Sequence, residues 1–186
     1  MSNSDTIERD NILITRAISG DGQAFRALLS HYQTAVYACT MAITRNQADA
    51  SDAAQDAFIR FHKNMSQFDL SRPLKPYLLR IAANCSKNLI AKRTREQKIR
   101  EVEVEDSKTL KSPQAEMMRG ERNLAIRQLV EQLPNTLREV TSLFYLAECS
   151  CKEVAEILEM TESAVKVALH RARKKLHGDM QEWRTA

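Results

Sequence analysis

SCKEVAEILEMTESAVKVALHRARKKL, residues 150–176, is the stretch on which the reading of this chain turns. It has the pattern of two short helices joined by a tight turn. Ser150 followed three residues later by Glu153 is a capping box, in which each side chain satisfies a backbone N–H of the other residue, and it starts the first helix. Thr161 is a good N-cap for the second, since its hydroxyl accepts from an N–H of the first turn. Val154, Ile157 and Leu158 form one apolar stripe, and Val165, Leu169, Ala172 and Leu176 form another at helical spacing. Each helix therefore buries one face and leaves the other open. The second carries Lys166, Arg171, Arg173, Lys174 and Lys175 with no acid among them. A basic helix pinned by a short partner fits the major groove of duplex DNA, so the segment is a helix-turn-helix candidate.

The rest of the chain is helical in pattern. Its 186 residues include only 4 glycines and 4 prolines. Strand signals are confined to EVEVE at 101–105, too short and too acidic to anchor a sheet. We expect an all-α fold of two small helical domains joined by a flexible linker, the C-terminal domain being the helix-turn-helix. The expected boundaries are 1–95, 96–113 for the linker, and 114–186. A first helix over 5–19 offers Ile7, Ile12, Leu13, Ala17 and Ile18 to the core. Asp21 caps a second, over 23–44, which buries Phe25, Leu28, Leu29, Tyr32, Val36, Tyr37 and Ile43. A third over 47–63 buries Ala53, Ala57, Phe58 and Phe61. Pro73 and Pro76 suit the first turn of a fourth helix, where a missing N–H does no harm. That helix runs to about 95 and buries Tyr77, Leu78, Ile81, Ala82, Cys85 and Leu89. Helices resume over 114–132, and Pro134 opens another that buries Leu137, Val140, Leu143 and Phe144.

The net charge is +4, and its distribution matters more than its total. Asp49, Asp52 and Asp56 fall at i, i+3 and i+7, so the third helix has an acidic open face. Residues 70–95 then carry seven basic residues and no acid. There Arg80, Asn84, Lys87, Asn88, Lys92 and Arg93 share the open face of the fourth helix. Such segregation offers one surface to a polyanion and another to a basic partner.

Other classes of function find little support. Four cysteines, Cys39, Cys85, Cys149 and Cys151, lack the spacing of a disulfide framework. Cys149 and Cys151, with His170 as a third ligand, invite a metal or redox reading, but a C-x-C pair without a second pair falls short of structural zinc patterns. Cys151 instead suits an ordinary buried position beneath the first helix of the pair. There is no signal peptide and no apolar run long enough to span a bilayer, so we expect a cytoplasmic protein with reduced thiols and no membrane insertion. No phosphate-cradling glycine loop or nucleophile elbow is present. No catalytic residue, cofactor or metal site is assigned.

With these parts in order, the chain resembles a bacterial ECF (extracytoplasmic-function) sigma factor, the small two-domain class that directs RNA polymerase to promoters. Three blocks carry the resemblance. DASDAAQDAFIRFHKNMSQFD (49–69) is similar to the family's polymerase-binding helix and following loop, and LKPYLLRIAANCSKNLIAKRTR (74–95) to its minus-ten helix. Residues 132–177 are similar to its minus-thirty-five-reading domain, through LPNTLREV (133–140), EVAEIL (153–158) and VKVALHRARKKL (165–176). The resemblance implies core RNA polymerase and promoter DNA as partners, and an anti-sigma factor as a third.

It also distributes roles. Asp49, Asp52, Gln55 and Asp56 would meet the coiled-coil clamp helices of the polymerase's largest subunit. Arg72, Arg80, Asn84, Lys87, Asn88, Lys92 and Arg93 would contact the minus-ten element, and Phe68 either lines a pocket for a flipped base or simply caps the core. On the recognition helix, Glu162, Ser163, Lys166, Val167 and His170 are the candidates for base edges, and Arg171, Arg173 and Lys174 for phosphates. The linker's acidic run, 101–106, either mimics nucleic acid or is a plain tether. Several positions depart from the family's pattern: Glu148 and Glu159 stand where glycine is usual, Ala168 where arginine is frequent, Tyr77 where tryptophan is usual and Asn88 where aspartate is common. A stand-alone helix-turn-helix regulator is the alternative, but it leaves residues 74–95 and the acidic third helix without a purpose.

Overall fold

The structure, a computed structural model, describes residues 3–103 and 130–185. Among these there is no strand. The helices are α1 (Asn3–Ile18), α2 (Gly22–Thr44), α3 (Gln47–Asn64), α4 (Leu74–Glu103), α5 (Asn135–Tyr145), α6 (Cys151–Leu158) and α7 (Glu162–Thr185), with a single 3-10 turn at Met65–Gln67. Helix boundaries follow local chemistry. Asp21 Oδ1 accepts from the N–H groups of Gln23 and Ala24 at 2.9 and 3.2 Å, starting α2. Arg45, at φ 58°, ends that helix, its N–H returning to Met41 O. Asn46 then caps α3 by accepting from Asp49 N at 3.0 Å.

Two units result, one on either side of residues 104–129. In the first, α2, α3 and α4 pack together around Tyr32, Val36, Ala57, Phe61, Leu74 and Leu78, and α1 lies along α2 through Ile14 and Ala17. In the second, α7 rests on α5 and α6 through Val140, Leu143, Val154, Ile157, Val165 and Leu169. The units share a core. α5 packs on α2 and α6 packs on α4, so one continuous apolar cluster runs from Ile14 to Leu169.

That second packing surface explains where burial departs from the sequence pattern. α4 buries the adjacent pairs Leu78–Leu79 and Ala82–Ala83, which point to two different sides, because α2 and α3 cover one and α6 covers another. On α5 the polar stripe Arg138, Thr141 and Ser142 is buried as fully as the apolar stripe of Val140 and Leu143. Ile12, Ile18 and Tyr37, expected inside, are exposed, whereas Ile14 is fully buried; α1 touches its neighbours over a narrower arc than its apolar residues span. α4 also continues eight residues past the expected end at Arg95, through Glu103 and so into the stretch read as linker. Most of the helix expected over 114–132 and most of the linker lie outside the described residues; residues 130 and 131, at the end of that span, are helical.

Candidate nucleic-acid interface

The helix-turn-helix is built as its sequence dictates. Glu153 Oε2 accepts from Ser150 N at 2.7 Å and Ser150 Oγ from Glu153 N at 3.2 Å, completing the capping box of α6. Thr161 Oγ1 accepts from Ala164 N at 3.2 Å at the head of α7. Between them the chain reverses at Glu159, in the left-handed region at φ 58°, and Glu148, before α6, is left-handed at φ 51°. These are the two positions where glycine was expected by resemblance. A left-handed residue with a Cβ is strained, and glycine is not.

α7 sorts its residues cleanly. Val165, Ala168, Leu169 and Ala172 face the core. Glu162, Ser163, Lys166, Val167, His170, Arg171, Arg173 and Lys174 are all exposed. Ala168 is therefore an inward residue here rather than a truncated surface contact. Lys166 Nζ lies 2.7 Å from Glu162 Oε1 across one helical turn. Their hydrogen bond lowers the Glu162 pKa and raises that of Lys166. Arg173 donates from Nε to Tyr145 Oη at 2.8 Å, with its guanidinium 5.9 Å from that ring's centroid. Tyr145, at the end of α5, has no apolar spacing signal that marks it as a partner of α7, and sequence reasoning missed it.

On α4, Arg80, Asn84, Lys87, Asn88, Lys92 and Arg93 are exposed, as is Arg72 in the preceding loop. Phe68 is not: it is 8% exposed, its ring 4.9 Å from that of Tyr77 and 6.3 Å from that of Phe61. The loop around it is tied by Asp69 Oδ1, which accepts from the N–H and hydroxyl of Ser71, and by Asn11, which donates from Nδ2 to Leu70 O at 2.9 Å.

The acidic face of α3 is smaller than its spacing suggests. Asp52 and Gln55 are exposed and Asp56 is half-buried, with Asp56 Oδ2 2.9 Å from Arg60 Nε. Asp49 is buried at 6% exposure and forms an ion pair with Arg93. Asp49 therefore leaves the open face that Asp52 and Asp56 keep. One residue expected to meet polymerase and one expected to meet DNA are in fact paired to each other, joining α3 to α4.

Among the described residues, two side-chain hydrogen bonds join the two units. Arg138, 2% exposed, donates from Nε to Ala42 O at 2.7 Å, from an Nη to Leu133 O at 3.2 Å and from the other to Asn135 Oδ1 at 3.1 Å. Burial lowers its pKa. Lys75 donates from Nζ to Glu148 O at 2.9 Å. Glu139, whose pKa burial raises, sits in the field of Lys87 on α4. Two of the thiols, Cys39 and Cys149, line the same seam. Cys39 donates to Leu79 O and Cys149 to Ala147 O, each at 3.7 Å, and burial pushes Cys149 up to about 12. Such thiols are protonated and unreactive at neutral pH. Among the described residues no group of three or more His, Cys, Asp or Glu is placed to hold a metal ion, and no helix is long and apolar enough to cross a membrane.

Comparison with known proteins gives two family matches. Residues 28–96 match the Sigma-70 region 2 family and residues 123–176 the Sigma-70, region 4 family. The ECF RNA polymerase sigma factor SigW of Bacillus subtilis is 30% identical over 178 residues, covering 91% of this chain and 95% of that one. The RNA polymerase sigma-H factor of Pseudomonas aeruginosa is 28% identical over 185 residues, covering 95% and 96%. Two solved structures share the fold. CnrH, in complex with the cytosolic domain of CnrY, has a TM-score of 0.66 at 24% identity over 94% of this chain and 98% of that one. The sigma factor RpoE from Bartonella quintana, in complex with the anti-sigma factor NepR, has a TM-score of 0.67 at 20% identity over 84% and 96%.

Proposed function

We propose that this chain, which belongs to the ECF RNA polymerase sigma factors, docks on core polymerase through α3 and reads promoter DNA through α4 and α7. As a sigma factor it works in transcription initiation, directing polymerase to promoters and taking part in strand opening. The roles are those of a binding protein, and we assign it no catalysis of its own, no cofactor, and a place in the cytoplasm beside the polymerase.

The division of labour follows charge and exposure. Asp52, Gln55 and Asp56 offer acceptors to basic residues of the polymerase clamp helices. Arg72, Arg80, Asn84, Lys87, Asn88 and Lys92 face the minus-ten element, where cations hold phosphates and asparagines contact base edges. Asp49 and Arg93 support this surface by fixing α3 against α4, and Phe68 supports it from the core. On α7 the N-terminal residues reach deepest into the groove, so Glu162, Ser163, Lys166, Val167 and His170 face bases while Arg171, Arg173 and Lys174 meet phosphates. Residues 1–95 and 114–186 act as the two promoter-reading units, with 96–113 between them. Anti-sigma factors accompany the RpoE relative, and we extend such a partner to this chain.

One observation carries the reading: an acidic helix, a basic helix and a helix-turn-helix occur in one chain in the order of regions 2 and 4. Gel filtration of the chain with core polymerase tests it. Co-elution with the enzyme is expected, together with weak binding to duplex DNA by the chain alone, since its modest net charge limits counterion release. Nanomolar, sequence-specific binding by the isolated chain at physiological salt would favour the stand-alone regulator.

A further inference from the structure

Glu162 suits the N-terminus of its helix in the free protein, where the backbone dipole favours an acid. It opens the recognition helix, where side chains reach deepest into the groove, yet a carboxylate there is repelled by the phosphates. Its approach is favourable only if it accepts a hydrogen bond from a base. The major groove offers two donors, the N4 amino group of cytosine and the N6 amino group of adenine. Adenine's amino group lies between its own N7 and thymine O4, both acceptors that repel a carboxylate. Cytosine's lies beside guanine O6, and O6 and N7 of guanine are the acceptors a lysine ammonium takes.

Lys166 is already in place for that complementary half. Its Nζ is 2.7 Å from Glu162 Oε1, with side chains 64% and 50% exposed. A donor and an acceptor held this close fall within the reach of one base pair. We propose that Glu162 and Lys166 act as a unit that reads a single G·C pair in the upstream promoter element, Glu162 accepting from cytosine N4 and Lys166 donating to guanine O6 and N7. The proposal rests on the sigma-factor reading and makes that site's target specific. In free protein the two charges satisfy each other in water, where such a pair is worth little and is readily exchanged. At an A·T pair the only donor, adenine N6, is flanked by two acceptors that repel the carboxylate, and that penalty supplies the discrimination.

The test is transcription by polymerase reconstituted with the full chain, on a promoter library randomised across the upstream element. Wild type should prefer G·C over A·T at one position by about ten-fold, the size expected of a specific base contact. Glu162→Gln and Lys166→Ala should each erase most of that preference at the same position, leaving the others unchanged, and the double variant should lose no more than either single. Lys166→Arg, which keeps the guanine donors, should retain it. Circular-dichroism melts near wild type for all four would separate readout from folding. The proposal is overturned if the single variants act at different positions, if neither alters any preference, or if the shared position prefers A·T. Failure of wild type to initiate at any promoter would overturn it together with the sigma-factor reading, and that outcome is recognised without any variant.

Discussion

The Arg138 guanidinium, on α5, donates to the carbonyl oxygen of Ala42, on α2, at 2.7 Å in a fully buried seam. Among the described residues no carboxylate forms an ion pair with it; three oxygens, two of them backbone carbonyls, hold the charge instead. Removing one side of a buried bond leaves an unsatisfied group, which costs more than the bond itself contributes.

Arg138→Ala should therefore lower stability by about 2–3 kcal/mol. Lys75→Ala, whose bond to Glu148 O is exposed, should cost less than about 1 kcal/mol. Urea unfolding of the two variants checks the contrast. Wild type should also unfold in one transition, because both units share a core; equal costs for the two variants, or two separate transitions, would contradict a buried seam.

Glu148→Gly and Glu159→Gly should each raise stability by roughly 0.5–1 kcal/mol, relieving left-handed strain against the extra freedom of glycine in the unfolded chain. In a chain of this size that is a Tm increase of about 1–4 °C per substitution. Thermal melts measure it, and a lowered Tm for both would mean the side chains make contacts that outweigh the strain.

These two glutamates show how far sequence carries. Both were legible as places where glycine is expected, and the backbone there is left-handed as a turn demands. The caps at Asp21, Ser150 and Thr161 and the stripe of α7 were legible too, because they depend on residues a few positions apart. The seam was not. Arg138, Thr141 and Ser142 form a polar stripe that periodicity assigns to solvent, and only the arrival of α2 from nearly a hundred residues away buries it. Asp49 failed for a similar reason: spacing put it on the acidic face, but Arg93 on α4 draws it inward. Phe68 packs against Phe61 and Tyr77, contacts that span the 3-10 turn and the head of α4 and leave no local periodicity to read.

Asp52→Lys with Asp56→Lys should abolish association with core polymerase while changing stability by no more than about 1 kcal/mol, since surface charges away from special features matter little and a half-exposed i,i+4 pair such as Asp56–Arg60 contributes a few tenths. Asp49→Asn should behave differently, losing an ion pair at a buried carboxylate and lowering the melting temperature. Co-purification and melts on the same samples distinguish the two; a double variant that co-purifies normally would show a merely solvated face.

Arg173→Ala should weaken all upstream elements about equally and reduce the salt slope of binding by about one, the signature of a lost phosphate contact. Tyr145→Phe, which removes the acceptor that holds Arg173 Nε, should shift binding in the same direction by a smaller factor. Holoenzyme binding to upstream-element variants across a salt series reads both effects. A changed sequence preference in Arg173→Ala would mean that the helix sits in the groove at a different depth.

Run-off transcription with core polymerase stripped of any sigma factor tests the central claim most directly. Genomic or library templates should give discrete start sites when the chain is added and none when it is omitted, with the start sites lost in the Asp52→Lys, Asp56→Lys double variant. No polymerase-dependent initiation from any template, with tight and specific duplex binding by the chain alone, would contradict the account.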